Sequence, residues 1–270
     1  MMSINRDRLQ ESLDPGLRVR PRVRWGVLAY FLYSAVFYAI FVLNGVDYPR
    51  VGESEQTLLL WYVLPLSGGA VLTITMVTLY GWWRPSLVEK RRLSGWTMTL
   101  PIIMMVIAIV NMLIGDFTRI TPLMWLYLIV GSILVGFNED MINRGQLIVA
   151  LRSRFSETGV WLLATAMFAV FHLPNIFLGI GVVALYQVMI AFGLGSIFYL
   201  ARRSTGSLVS AMLLHGLWDF SNFATNGSSS YPIAGALAPL LAIVAVITVP
   251  IILRRERGRD RAQSVSQPAG

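Results

Sequence analysis

Apolar residues run along this chain in blocks of about twenty, parted by short stretches where arginine, proline and glycine collect. A helix of about 20 apolar residues is what the hydrocarbon core of a bilayer requires. Eight blocks qualify as candidate spans: 25–43, 58–82, 96–115, 122–136, 160–178, 182–201, 208–223 and 233–253. The fourth and seventh are short, and both carry polar residues within or just beyond the run. Trp25, Trp82, Trp83, Trp96 and Tyr231 flank block ends, where interfacial anchors belong. The pattern predicts an all-α fold, a polytopic membrane helical bundle of about eight transmembrane helices. No internal repeat is visible, so the inverted-repeat signature of many transporters is missing.

The segments between blocks alternate in charge. Arg18, Arg20, Arg22 and Arg24 precede the first block. Arg84, Lys90, Arg91 and Arg92 lie between the second and third, Arg152 and Arg154 between the fourth and fifth, and Arg202 and Arg203 between the sixth and seventh. Arg254, Arg255, Arg257 and Arg259 follow the eighth. The intervening segments are neutral or acidic, as with Asp47, Glu53 and Glu55. Positively charged segments stay on the cytoplasmic side. The expectation is therefore a multi-pass cell (plasma) membrane protein with both termini cytoplasmic and a segment near Ser229 outside. Residues 1–24 read as a basic cytoplasmic tail that does not resemble a cleaved signal peptide. Residues 25–253 read as the membrane domain, and 254–270 as a basic, disordered cytoplasmic tail.

Composition agrees. Of 270 residues, 56% are hydrophobic and 13% charged, against about 25% charged in soluble domains. The net charge of +8 would suggest nucleic acid, but the basic residues sit at block ends and in the tails. That distribution suits anionic lipid headgroups and excludes a nucleic-acid groove. The chain has no cysteine, which removes disulfides, thiolate metal sites and a cysteine nucleophile.

Ionisable residues beside lipid are costly and mark functional sites. Residues 137–146 read F-N-E-D-M-I-N-R-G-Q. On a helix Asp140 and Arg144 share a face and can pair. Glu139 points about 100° away, toward Asn143 and Gln146, and stays free. A free carboxylate in an apolar setting is a candidate general base. The two histidines of the chain both fall inside candidate spans. His172 lies in F-A-V-F-H-L-P-N, with Phe168 one turn before it. His215 lies in L-L-H-G-L-W-D-F, with Asp219 on the same face and Asn222 extending that edge. One membrane histidine is ordinarily a helix–helix hydrogen bond, as Asn111, Gln187 and Thr165 are expected to be. Gly193 and Gly195 are read as packing residues. From their cytoplasmic ends, His215 lies roughly 12 Å deep and His172 roughly 20 Å. The clusters meet if the fourth helix continues through the motif toward Leu151.

E-D-x-x-x-R at Glu139, Asp140 and Arg144, F-x-x-x-H at Phe168 and His172, and H-x-x-x-D at His215 and Asp219 occur in that order. The pattern resembles the CPBP (ABI) family of intramembrane proteases, which includes the type II CAAX prenyl endopeptidases. The resemblance implies a proteolytic site opening toward the cytoplasm. Glu139 matches the catalytic glutamate and His172 its partner in holding the attacking water. His215 and Asp219 match the pair that stabilises the oxyanion or, in a metalloprotease reading, helps bind a metal. Zinc held by His172, His215 and Asp219 is the cofactor that reading calls for. The chain departs from the family in two ways. Asp140 stands where a second glutamate is usual. Asp219 stands where prenyl endopeptidases have asparagine, which argues against a strictly prenylated substrate.

The sequence therefore points to an intramembrane endopeptidase acting on a membrane-associated protein or peptide, with Asp140, Arg144, Asn143, Phe168 and Asn222 in support. An idle family member serving as a membrane scaffold or a bacteriocin self-immunity protein is the rival, and a proton-relay transporter the third reading. The oligomeric state is not legible.

Overall fold

A computed structural model describes residues 16–225 and 232–266, with side chains to residue 258. Eight long helices form the bundle among the described residues, and no strand does. They are α1 (Val23–Leu43), α2 (Glu55–Tyr80), α3 (Gly95–Leu113), α4 (Pro122–Leu151), α5 (Glu157–Phe177), α6 (Val183–Thr205), α7 (Leu208–Thr225) and α8 (Ile233–Ser266). Seven of these are long and apolar enough to cross a membrane. The exception is α7, because His215, Asp219, Ser221 and Asn222 all lie on it. The protein is an integral, multi-pass membrane protein built as a helical bundle, and the expected count of about eight holds approximately.

Helix ends follow local chemistry. Ser54 and Thr57 form a reciprocal capping box at the start of α2. Gly81 (φ +70°) closes that helix in the left-handed region. Thr121 accepts from the Met124 amide, with Pro122 in the first turn of α4. Gly206 (φ +82°) ends α6. In α5, Pro174 cannot donate a backbone hydrogen bond, so the helix tightens to a 3₁₀ turn over Leu173–Phe177 directly after His172. Two boundaries differ from expectation. The fourth span runs on to Leu151, past the apolar run that ended at 136. The backbone of α8 stays helical to Ser266, into the stretch expected to be disordered. The expected external segment near Ser229 and most of the N-terminal tail lie outside the described residues.

The bundle has two unlike ends. At one end, Glu89 pairs with Arg152 (2.8 Å) and Arg202 (3.3 Å). Glu157 pairs with Arg152 (2.7 Å) and Arg203 (2.7 Å), and Arg203 with Glu256 (2.6 Å). Arg202, Arg203 and Glu89 are buried. The arginines read from sequence as loop charges thus form a packed network tying the α2–α3 segment to α5, α6 and α8. The opposite end joins other segments. Thr121 donates to Glu55, the Tyr48 amide donates to the Leu178 carbonyl, and Gln187 donates to the Tyr48 hydroxyl. Asn111 of α3 donates to the Ser221 carbonyl and to Thr225 of α7, so the expected helix-packing role of Asn111 and Gln187 is what the contacts show.

Candidate active site

Helices α4 and α7 touch backbone to backbone. A Cβ on Gly136 would lie 2.2 Å from the Met212 carbonyl oxygen, and one on Gly216 would lie 2.6 Å from that of Ser132. Small residues allow such an approach. One turn beyond Gly136 on α4 stands Asp140, and beside Gly216 on α7 stands His215. Both are buried.

Here α4 changes its winding. Met141–Gln146 form a π-helical segment inside an otherwise α-helical rod, a local widening often found at functional sites. Asp140 accepts from Arg144 through Oδ1 at 2.8 Å and from His215 Nδ1 through Oδ2 at 3.2 Å. It therefore joins the first motif to the third. The Arg144 guanidinium lies over the Phe168 ring at 3.8 Å and near the Phe198 ring at 5.1 Å, a cation–π arrangement in a dry setting. Gly195 makes room for it, since a Cβ there would meet Arg144 Nη2 at 2.6 Å and Phe168 at 2.8 Å. Gly193 faces Ala242 of α8. Both glycines serve packing, as expected.

The imidazole of His215 stacks on Phe198 (centroids 4.4 Å apart, 26°) and meets the edge of Phe168. With Nδ1 engaged by Asp140, Nε2 faces Asp219 Oδ2 at 3.9 Å. That is beyond hydrogen-bond reach but within strong electrostatic range. His172 makes its contact through Nδ1, 3.1 Å from the Phe168 carbonyl oxygen. A protonated Nδ1 donating to that carbonyl leaves Nε2 as an acceptor. Asn222 donates to the Trp218 carbonyl (2.8 Å).

A cavity of about 450 Å³ is lined by Phe168, His172, Phe198, His215, Asp219 and Asn222, among others. Two of the three motifs thus share one chamber; Asp140 and Arg144 of the first do not line it but contact His215 and Phe168, which do. Glu139 stands apart. It is buried, its Oε2 has no hydrogen-bond partner within the protein, and it does not line the cavity. It lies within electrostatic range of His215 and Asp219, and no hydrogen bond joins it to His172 among the described residues. Asn143 binds the Glu139 carbonyl through Nδ2 (2.8 Å), so its amide supports the helix and not the carboxylate. Tyr33 Oη, Asn138 Oδ1, Asn143 Oδ1 and both side-chain polar atoms of Gln146 are also buried without hydrogen-bond partners among the described residues.

Tyr48, Gln187, Thr225 and Pro232 line the part of the cavity farthest from the arginine network. Among the described residues no three His, Asp or Glu side chains gather closely enough to hold a metal ion. Asp140 engages Nδ1 of His215 and a carbonyl engages Nδ1 of His172, which leaves Nε2 of each without a hydrogen bond among the described residues.

Sequence reasoning missed Gly136, Gly216, Phe198 and the second oxygen of Asp140. The glycines had a signal, because Ser132, Gly136 and Asp140 recur every four residues along one face of α4. Phe198 had none.

Residues 121–221 match the family model described as type II CAAX prenyl endopeptidase Rce1-like. The matched stretch begins at the cap of α4 and ends in α7, so it holds all three motifs. No curated protein matches the chain. At the level of the family, the match supports CAAX-type endopeptidase activity in the membrane. The ordered motifs, their meeting around Asp140 and this match over residues 121–221 support a CPBP/CAAX protease family assignment.

Proposed function

We propose that this protein is an intramembrane endopeptidase that hydrolyses a peptide bond of a membrane-associated protein or peptide, with Glu139 as general base. The observation that carries the reading is Asp140, which grips Arg144 with one oxygen and His215 with the other. A scaffold has no use for a buried carboxylate that orients an imidazole into a chamber.

Each residue then has a task. Glu139 takes a proton from water, and His172 Nε2 accepts the second water hydrogen, so the oxygen is aimed at a carbonyl carbon. Attack produces a tetrahedral oxyanion. His215, held by Asp140, turns Nε2 toward it, and a proton on that nitrogen stabilises the developing charge. Asp219 stands 3.9 Å from that nitrogen without a hydrogen bond to it, and the proton taken by Glu139 passes to the leaving amine. Phe168 and Phe198 exclude water and fix the imidazole plane. No step here passes through a metal. A zinc-dependent variant would need His172, His215 and Asp219 to draw together, and metal content of the purified protein measures whether they do.

One observation favours the rival, an idle scaffold or self-immunity protein: Glu139 does not line the cavity. Comparative membrane proteomics of wild type and Glu139→Gln distinguishes the two. The protease reading expects at least one intact precursor to accumulate in the variant at equal protein abundance. Identical membrane proteomes would leave the scaffold.

A further inference from the structure

Helix α1 carries three tyrosines in nine residues, Tyr30, Tyr33 and Tyr38. Two of their hydroxyls engage the backbone of α5. Tyr30 donates to the Met167 carbonyl at 2.7 Å, and Tyr38 donates to the Phe171 carbonyl. Tyr33 lies between them in the chain and differs from both. Its side chain is fully buried, and its hydroxyl has no hydrogen-bond partner among the described residues. Buried hydroxyls are nearly always bonded, so this one calls for an acceptor.

Ring contacts say where that acceptor stands. The Tyr33 ring stacks on Phe171 (centroids 5.5 Å apart, 28°), and Phe171 meets the His172 imidazole edge-on at 5.6 Å. The same ring packs at Gly69 of α2. A Cβ on Gly69 would lie 2.6 Å from Tyr33 Cε2 and 3.5 Å from Asn138 Nδ2, and Asn138 directly precedes Glu139. Tyr33 therefore touches the neighbours of both His172 and Glu139. Depth agrees. Measured from the arginine end at 1.5 Å per residue, Tyr33 lies roughly 15 Å into α1, Glu139 roughly 18 Å into α4 and His172 roughly 22 Å into α5. Glu139 lies within electrostatic range of the Tyr33 hydroxyl, and Glu139 Oε2 also has no partner among the described residues.

Hydrolysis needs a donor in this place. A water molecule has four tetrahedral positions, two hydrogens and two lone pairs. One hydrogen goes to Glu139, the other to His172 Nε2, and one lone pair faces the carbonyl carbon. Two hydrogen bonds alone leave the water free to turn about the line joining its acceptors. A donor on the second lone pair fixes the first, and buried waters ordinarily make about three hydrogen bonds.

We propose that Tyr33 is a further catalytic residue, whose hydroxyl donates to the attacking water and holds its other lone pair on the substrate carbonyl carbon. The inference rests on the proteolytic reading for the reaction and on the contacts of Tyr33 for the residue. No proton leaves Tyr33. Its O–H stays bonded to the oxygen that becomes the new hydroxyl of the tetrahedral intermediate, while Glu139 takes the water proton. Tyr33 does not line the cavity, so it acts on the water and not on substrate binding.

Tyr33→Phe keeps the ring with its Phe171 and Gly69 contacts and removes only the hydroxyl. The kinetic probe is the purified precursor whose uncleaved form accumulates in Glu139→Gln membranes. The expected result is a kcat lower by about 10- to 100-fold, the weight of one hydrogen bond to a charged or reacting group, with KM unchanged. The spectroscopic probe is protein in lipid bilayers carrying glutamate labelled with ¹³C at the side-chain carboxyl. The chain has seven glutamates, so the Glu139 resonance is identified by its loss in Glu139→Gln. Tyr33→Phe should displace that resonance. Tyr30→Phe, which breaks the bond to Met167, should lower the melting temperature and leave the resonance in place. A Tyr33→Phe protein with wild-type kcat overturns the inference; a hydroxyl bonded instead to the unpartnered Asn138 Oδ1 would give that result. A resonance moved as far by Tyr30→Phe as by Tyr33→Phe overturns it too. The resonance needs no turnover, so the two readings fail separately. An inactive wild type whose Glu139 resonance moves in Tyr33→Phe sinks the protease reading and leaves Tyr33 linked to Glu139. An active wild type indifferent to Tyr33→Phe sinks this inference alone, and an inactive one with an unmoved resonance sinks both.

Discussion

Neutralising residue 139 and neutralising residue 140 should do different damage. Glu139→Gln removes a base without breaking a bond of Oε2, which has no hydrogen-bond partner among the described residues. Protein abundance should hold while cleavage falls by about 10²–10⁴-fold. Asp140→Asn strips the charge that holds Arg144, which is 2% exposed at its side chain. Breaking a buried pair costs about 3–5 kcal/mol, so abundance and thermal stability should fall together with activity. Quantitative immunoblotting beside a cleavage assay separates the two patterns, and full activity in Glu139→Gln ends the assignment. Asp219→Asn divides the metal question. Lacking a hydrogen bond to His215, Asp219 should tolerate asparagine with cleavage largely retained, whereas a zinc ligand should lose metal and activity together. The Asp140–Arg144 pair was legible because helical spacing puts four-apart residues on one face. The Asp140–His215 bond was not, since it joins residues 75 apart and depends on how two helices dock. Nor was the remoteness of Glu139 from the cavity legible, because spacing along one helix says nothing of where a separate chamber forms.

Among the elements, the contact between α4 and α7 decides whether a site exists. Gly136→Ala puts a methyl 2.2 Å from a carbonyl oxygen, and a backbone atom cannot swing aside as a side chain can. The helices must part, at a cost of about 1–3 kcal/mol for such overpacking, and the Asp140–His215 bond at 3.2 Å lengthens with them. A lowered melting temperature and a steep loss of cleavage are expected. Gly235→Ala, at a position with open space around it, should leave both unchanged. If the two variants behave alike, the glycine contact has no special part in the site. Helix positions could be read from the apolar blocks because most blocks are long and flanked by arginines, prolines or glycines. The π segment at Met141–Gln146 could not be read. Asn143 and Gly145 weaken a helix without specifying a wider turn, so the spacing of residues alone does not announce one.

Across the whole molecule, the ion-pair network should make stability sensitive to acid. Burial by itself would push the Glu89 carboxyl up, but Arg152 and Arg202 outweigh it and hold the group below its ordinary value of 4.5. A depressed folded value means the stabilisation is fully present above 4.5 and is lost as pH falls through the lower folded value. In detergent, wild type should melt well above Glu89→Gln at neutral pH. The gap should close as the pH falls below 4.5. A gap that stays constant with acid would show that the Glu89 charge is not what holds the α2–α3 segment.

The polar face of α7 bears on how the protein is made. An aspartate at the centre of a spanning helix opposes insertion by about 2.5–3.5 kcal/mol, and α7 adds a histidine and an asparagine to Asp219. Such a helix does not leave the translocation channel for lipid by itself; it needs a partner already in place. Chain order supplies one, because α4 is synthesised earlier and holds Asp140 and the Ser132–Gly136 face ready to receive it. Assembly of the Asp140–His215 pair and insertion of α7 then become one event at the ribosome. Deleting α4 should leave α7 outside the bilayer during synthesis, read by glycosylation-site mapping, while α1 and α2 insert normally.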